Sequence, residues 1–231
     1  QRDEPGGQRV TPTVLAIDTS TRWAGIAVSN GDKLASMTWR SNQNHGRELL
    51  PNINTVLEDA DVPLQEVELL AVAKGPGGFS ALRVGIATAR GLTMANNVPL
   101  IGISTFLVEA WPYLGKNTSI VSLIDAGSSG VAWGLFSRQD QGIVAEPAER
   151  GVRTFADVVA HVSGSTLFCG EPCRDITDLV SPSQILSREH PTRSPVSLIE
   201  IATALHASGE AIADDDLEPD YARAPSISKP K

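Results

Sequence analysis

Two short apolar runs, one in each half of the chain, end in an aspartate and are followed by a polar turn and a second strand-like run; this repeat constrains the fold more than any other feature. The first, Val14-Leu15-Ala16-Ile17, is continuous, apolar and partly β-branched, the pattern of a strand buried on both faces, and it stops at Asp18-Thr19-Ser20-Thr21. With one insertion, Ile17-Asp18 followed by Trp23-Ala24-Gly25-Ile26-Ala27-Val28 aligns with Ile124-Asp125 followed by Val131-Ala132-Trp133-Gly134-Leu135-Phe136. A strand that ends in Asp and doubles back, met twice, predicts a duplicated fold with a cleft between its halves.

The remaining elements fit that frame. Trp23–Ser29 and Lys33–Trp39 read as strands, with Asn30-Gly31 supplying the positive-φ residues of a tight hairpin. Leu49, Leu50, Ile53, Val56 and Leu57 follow three-four spacing and predict a helix from His45 to Ala60. Leu69–Ala73 reads as a buried strand broken by Gly75-Pro76-Gly77-Gly78, after which Ser80 is expected to cap a helix running to about Asn96. A strand at Leu100–Ile103 and a short helix at Thr105–Ala110 complete the order β-β-β-α-β-α-β-α. The second half repeats it loosely, with strands at Ile120–Asp125, Val131–Ser137, Gly142–Ala145 and Leu167–Cys169 and helices at Thr154–Val162 and Ser194–Ser208. The expected organisation is a leader over 1–11, halves over 12–112 and 113–213, and an irregular tail over 214–231.

Composition narrows the function classes. With 19 Lys and Arg against 27 Asp and Glu, the chain carries a net charge of −8, which repels a phosphate backbone and disfavours unaided nucleic-acid binding. No run approaches the ~20 apolar residues of a membrane span, and Gln1–Gly7 has no apolar signal-peptide core. No membrane association is expected, and Cys169 and Cys173 form neither a disulfide framework nor a zinc site, so a reducing cytoplasm is the expected compartment.

Asp18 and Asp125 each end a strand before a turn of small and hydroxyl residues, a place where a sheet can present carboxylates to a metal-bound nucleotide. The pattern favours the simpler Asx turn, in which the carboxylate accepts its own downstream N–H groups. The second loop, with Gly127 and Gly130, could let phosphate approach a backbone, whereas the first has no glycine. Gly75-Pro-Gly-Gly-Phe-Ser80 lies between strand and helix but lacks the ending of a P-loop, which favours a tight packing turn. In the following helix Ala81, Gly85 and Ala89 recur every four residues, with Gly91 and Ala95 beyond, leaving one side nearly bare. Two glycines inside a helix cost about 1 kcal/mol each relative to alanine, which implies a compensating close contact. Arg83 and Arg90 flank Ile86 and make a mixed face suited to a partner helix. This pattern alone fits internal packing and partner contact equally. The four histidines form no i, i+4 pair, and no Gly-x-Ser-x-Gly occurs, so neither a histidine metal site nor a hydrolase nucleophile is expected.

Taken together, Val14-Leu-Ala-Ile-Asp18-Thr-Ser-Thr21, His45-Gly-Arg-Glu-Leu-Leu-Pro51 and Gly75-Pro-Gly-Gly-Phe-Ser-Ala-Leu-Arg83-Val-Gly-Ile-Ala87 resemble the bacterial TsaB (YeaZ) family, strongly from Val14 to about Trp111. Later, only Asp125, Trp133-Gly-Leu-Phe136 and Glu218-Pro-Asp-Tyr-Ala-Arg223 look like family features. The resemblance implies an α/β, actin-like ATPase (ASKHA) fold of two ribonuclease-H-like halves, with mixed five-stranded-type sheets flanked by helices. It implies a non-catalytic scaffold that pairs with TsaD in making threonylcarbamoyladenosine beside the tRNA anticodon, is joined by the ATPase TsaE, forms a homodimer in isolation, and meets tRNA only through the complex. It places the partner surface on the helices starting near His45 and Ser80, with His45, Leu49, Ile53, Ala81, Arg83, Gly85, Ile86, Ala89 and Arg90 as its expected residues. In TsaD a His-x-x-x-His pair holds the catalytic metal; here Leu49 follows His45 at that spacing, so no catalytic residue, metal or cofactor is expected. The family's second hairpin turn usually carries Arg and Glu, and this chain has Gly127-Ser-Ser-Gly130, which leaves open a vestigial nucleotide contact at Asp18, Asp125 and Gly127. The competing reading is a nucleotide-dependent phosphotransferase or ATPase with its site between the two aspartates. A metallopeptidase lacks its ligand pair.

Overall fold

The computed structural model describes residues 11–115, 118–137, 146–162, 164–186, 189–209 and 217–222. The first sheet contains β1 (Val14–Asp18), β2 (Trp23–Ser29), β3 (Leu34–Arg40), β4 (Leu69–Gly75) and β5 (Leu100–Ser104), in the order β3-β2-β1-β4-β5. The second contains β6 (Ile120–Asp125), β7 (Val131–Phe136), β8 (Glu149–Arg153) and β9 (Leu167–Cys169), in the order β8-β7-β6-β9. Both central strands pair antiparallel with the next strand and parallel with the fourth. The duplicated hairpin therefore reflects a duplicated sheet.

The helices are α1 (His45–Asp59), α2 (Phe79–Asn96), α3 (Thr105–Ala110), α4 (Phe155–His161) and α5 (Pro195–Ser208). Strand alternation sorts the side chains into layers. Leu15, Ile17, Ile26, Val28, Leu70 and Val72 face α1 and α2 in one core. The opposite face of that sheet joins α3, α5 and the inner face of the second sheet in a middle core. Val121, Leu123, Trp133 and Phe168 form the third core with Val158 of α4. The middle layer mixes the halves: α5, late in the chain, lies on β1 and β2, and α3 packs against β6. Small inner residues make room for this; a Cβ on Gly25 would lie 3.1 Å from the ring of Pro195. Among the described residues no helix is long and apolar enough to cross a membrane.

Several local expectations are corrected. In the first hairpin only Gly31 takes positive φ, at 90°, and Asn30 instead closes the turn by accepting from the Lys33 N–H. Leu50, which three-four spacing places on the inner stripe, points outward and is 51 % exposed. Gly78, with no side-chain bond, precedes α2, so Ser80 lies inside the helix and does not cap it. The Gly142–Ala145 strand falls outside the described residues. β8 was not anticipated because Glu149-Arg150-Gly151-Val152-Arg153 is a polar edge strand without apolar alternation.

Candidate functional site

Asp18 sits at the end of β1 and is buried. Its Oδ1 accepts from the Ser20 N–H at 2.8 Å and the Ser20 hydroxyl at 2.6 Å, which is the expected Asx turn. Its Oδ2 accepts from Nε of Arg193 at 2.9 Å. Arg193, just ahead of α5, has only 3 % of its side chain exposed and gathers groups from distant parts of the chain. Nη1 reaches Glu109 on α3 at 3.3 Å, and Nη2 donates to the Thr21 hydroxyl at 2.6 Å and to Glu171 at 2.9 Å. Thr192 also donates to Glu109, at 2.8 Å. Burial alone would lower the Arg193 pKa, but Asp18, Glu171 and Glu109 outweigh it and the net direction is up. Burial pushes Glu109 up to about 7, opposed by Arg193 and the Thr192 hydroxyl. Desolvating four ionisable groups is costly, and only this density of charge-assisted hydrogen bonds offsets it.

Asp125, the counterpart at the end of β6, is exposed, and its Oδ1 accepts only from the N–H of Gly127 at 2.8 Å among the described contacts. Gly127 takes φ 61° and its Cβ position opens to space. Asp18 is thus turned into an interior network, whereas Asp125 and Gly127 are exposed. The glycine loop is a packing turn: the Gly78 N–H donates to the Ser20 carbonyl at 2.7 Å, and a Cβ on Gly77 would collide with that oxygen.

The expected partner residues divide sharply. His45 is buried with Nε2 3.0 Å from the Thr21 carbonyl, and Leu49 and Ile53 lie in the core beneath α1. Gly85, Ile86 and Ala89 also face inward, and a Cβ on Gly85 would collide with the Thr19 hydroxyl, which itself donates to the Ala81 carbonyl at 2.7 Å. The bare side of α2 centred on Gly85 is therefore packed internally, and these six residues are buried within the chain itself. Ala81 is half-buried. Arg83 is exposed and donates to the Tyr221 hydroxyl at 2.8 Å, while half-buried Arg90 donates to the Leu217 carbonyl at 2.6 Å. The open face of α2 instead carries Phe79, Arg83, Ala87, Gly91 and Met94, the last 85 % exposed. At 100° per residue these fall on one arc opposite Leu82, Gly85 and Ala89. Among the described residues no group of His, Cys, Asp and Glu is arranged to hold a metal ion.

The family model described as TsaD, tRNA N6-adenosine threonylcarbamoyltransferase, matches residues 39–165. The tRNA threonylcarbamoyladenosine biosynthesis protein TsaB of Escherichia coli is 28 % identical over 91 % of this chain and 94 % of its own length. The protein of that name in Bacillus subtilis is 30 % identical over 54 % of this chain and 55 % of its own. The solved YeaZ of Pseudomonas aeruginosa superposes with a TM-score of 0.74 at 23 % identity, covering 91 % of this chain and 99 % of that one, which establishes the shared fold. A second solved structure, described as similar to peptidase YeaZ from Pseudomonas aeruginosa, gives 0.77 at 23 % identity over 92 % of this chain and 100 % of that one. The chain belongs to the family of the TsaD model, and within it to the TsaB (YeaZ) line of tRNA threonylcarbamoyladenosine biosynthesis proteins.

Proposed function

We propose that this chain serves threonylcarbamoyladenosine synthesis as a non-catalytic cytoplasmic subunit that pairs with a TsaD homologue through the outer face of α1 and α2. The observation that carries this reading is the Arg193 network. A guanidinium from the chain itself already neutralises Asp18, the carboxylate a nucleotide or metal in the cleft would need. This counts against the phosphotransferase reading, which predicts saturable Mg-ATP binding in calorimetry. The partner face is the exposed arc of α2, with Leu50 of α1 contributing exposed apolar surface. Small residues at Ala87 and Gly91 let a helix backbone approach closely. In isolation the same face pairs two copies; with TsaD bound, a TsaE homologue completes the assembly, and tRNA is engaged through the complex, consistent with the net charge of −8.

The test is substitution on the open side. Gly91→Arg introduces bulk where no atom lies within 4 Å of the Cβ position, so the free chain keeps its fold. The variant is expected to lose about 30-fold or more in affinity for the TsaD homologue, the scale of a blocked interface centre. Unchanged co-elution and titration would remove α2 from the interface. Gly85→Leu is not a usable test, because its collision with Thr19 disturbs the core whether or not a partner binds.

A further inference from the structure

Residues Leu217–Ala222, expected to be irregular tail, cross back over the first half and end against the second. Leu217 is buried in the core beneath α1 and α2, and Ala222 packs against the middle core. Two glycines make space for the segment: a Cβ on Gly102 of β5 would collide with the Leu217 side chain, and one on Gly75 with the Asp220 carbonyl. The Asp220 N–H donates to the Lys74 carbonyl at 2.7 Å. The walls are basic. Arg90 holds the Leu217 carbonyl, and Arg83 holds the Tyr221 hydroxyl while its guanidinium lies 4.0 Å from the centroid of Phe79, which itself stacks on Tyr221 at 4.8 Å. Arg150 of β8 pairs with Asp220 and shares Glu146 with Lys74. The segment is acidic to match: Glu218 and Asp220 lie within it, and Asp214, Asp215 and Asp216 precede it in the sequence.

We propose that the glycine-floored, arginine-walled groove along α2, β4 and β5 is a docking site for an extended acidic segment with a leucine anchor and a tyrosine, and that its occupant is the chain's own Leu217–Ala222, which thereby ties α2 to the second half. The two arginines that read as partner contacts in the sequence are the clasp of this strap. Each component has a separate physical task. Leu217 supplies burial, the backbone bonds to Lys74 and Arg90 fix register, the stacked Tyr221 closes the far end, and the charge match makes docking sensitive to salt. The strap covers Phe79 and Arg83 at the start of the open face of α2 and leaves Ala87, Gly91 and Met94 exposed, so the inference does not depend on what binds those three.

The test uses the full-length chain. In Leu217→Asp/Tyr221→Ala, amides of β5 and of the first turns of α2 are expected to exchange about tenfold faster or more than in the unaltered chain, while those of β6 and β9 stay unchanged. A labelled peptide of residues 214–222 should bind this variant saturably, at least about tenfold more tightly than it binds the unaltered chain with its groove filled, and more weakly as salt is raised. Exchange in α2 and β5 equal to that of the unaltered chain, or a peptide that fails to bind the released groove, would overturn the proposal. Should the double variant not fold, Arg90→Gln is the second arm: it removes one bond to the strap and leaves the core intact. Faster exchange confined to α2 and β5 supports docking there, and unchanged exchange overturns it.

Discussion

The turns after β1 and β6 occupy the same place in two similarly ordered sheets and do opposite things. Both follow the central strand of a sheet, both open with an aspartate, and both make an Asx turn. In the first, Thr19 supports α2, Ser20 and Arg193 saturate Asp18, and the His45 ring lies on the Thr21 carbonyl. In the second, Asp125 and Gly127 are exposed, and Gly130 packs against the backbone of Arg153. The helices diverge in parallel. The first half keeps two long helices against the outer face of its sheet, whereas the second has the short α4 and a 3-10 segment over Glu171–Ile176. The two sheets share the strand order that backbone hydrogen bonding enforces, and they differ in what their turns do. One turn joins distant parts of the chain through Arg193, and the other is surface.

The largest test of this contrast is to remove the cation from the joint. Arg193→Ala leaves Asp18, Glu109 and Glu171 without their shared counter-charge, and destabilisation by about 3–5 kcal/mol in denaturant unfolding is expected, the cost of breaking a buried ion pair from one side. Arg193→Lys should recover only part of this, because an ammonium cannot address all the partners held by the planar fork. A loss below about 1 kcal/mol for the alanine variant would mean that the halves are held by apolar packing alone.

A second test reads the same joint through pH. Glu109, held up at about 7 against an ordinary 4.5, binds its proton more tightly in the folded chain than in the unfolded one. Its contribution is therefore fully present below pH 4.5 and declines as the pH rises through about 7. Among the groups facing it, Arg193 and Thr192 oppose the upward shift and Glu171 adds to it, and the buried Cys169 and Cys173 thiols also feel its charge. Stability should fall by on the order of 3 kcal/mol across that window. In Glu109→Gln, which keeps the shape and a neutral side chain, this slope should disappear from the pH series. An unchanged slope would locate the titration elsewhere.

What could be read in advance follows from which signals are local. The strands around Asp18 and Asp125 were legible because burial on both faces writes a continuous apolar run, α1 because its apolar residues recur at three-four spacing, and α5 because Ser194 caps an apolar stretch. β8 was not legible, since an edge strand of Glu, Arg and Gly carries no alternation. Arg193 was missed for a deeper reason: an arginine between Thr192 and the Ser194 cap looks solvated, and its partners lie at residues 18, 21, 109 and 171. Only the requirement that a buried Asp18 have a counter-charge pointed to it, and that requirement names no position. The two sides of α2 were separable in principle. Gly85 shares an arc with Leu82, Ile86 and Ala89, all of which the structure buries, and Gly91 lies away from them. Small size drew attention to the stripe, but angular position decides which glycine meets the core.

The smallest effect is expected in the second turn, and its smallness is the point. Asp125→Ala deletes one hydrogen bond, from its carboxylate to the Gly127 N–H, at an exposed site where water replaces the acceptor. The loss should not exceed about 1 kcal/mol. Asp18→Ala deletes a chemically similar turn bond but also strips the Arg193 Nε of its acceptor inside the protein, where water cannot substitute. Measured side by side in denaturant melts, the two alanine variants should differ by about 2 kcal/mol or more, although each removes the same residue from the same place in a repeated motif. Equal losses would mean that the first turn is as solvated in solution as the second, and that Arg193 does not hold the halves together.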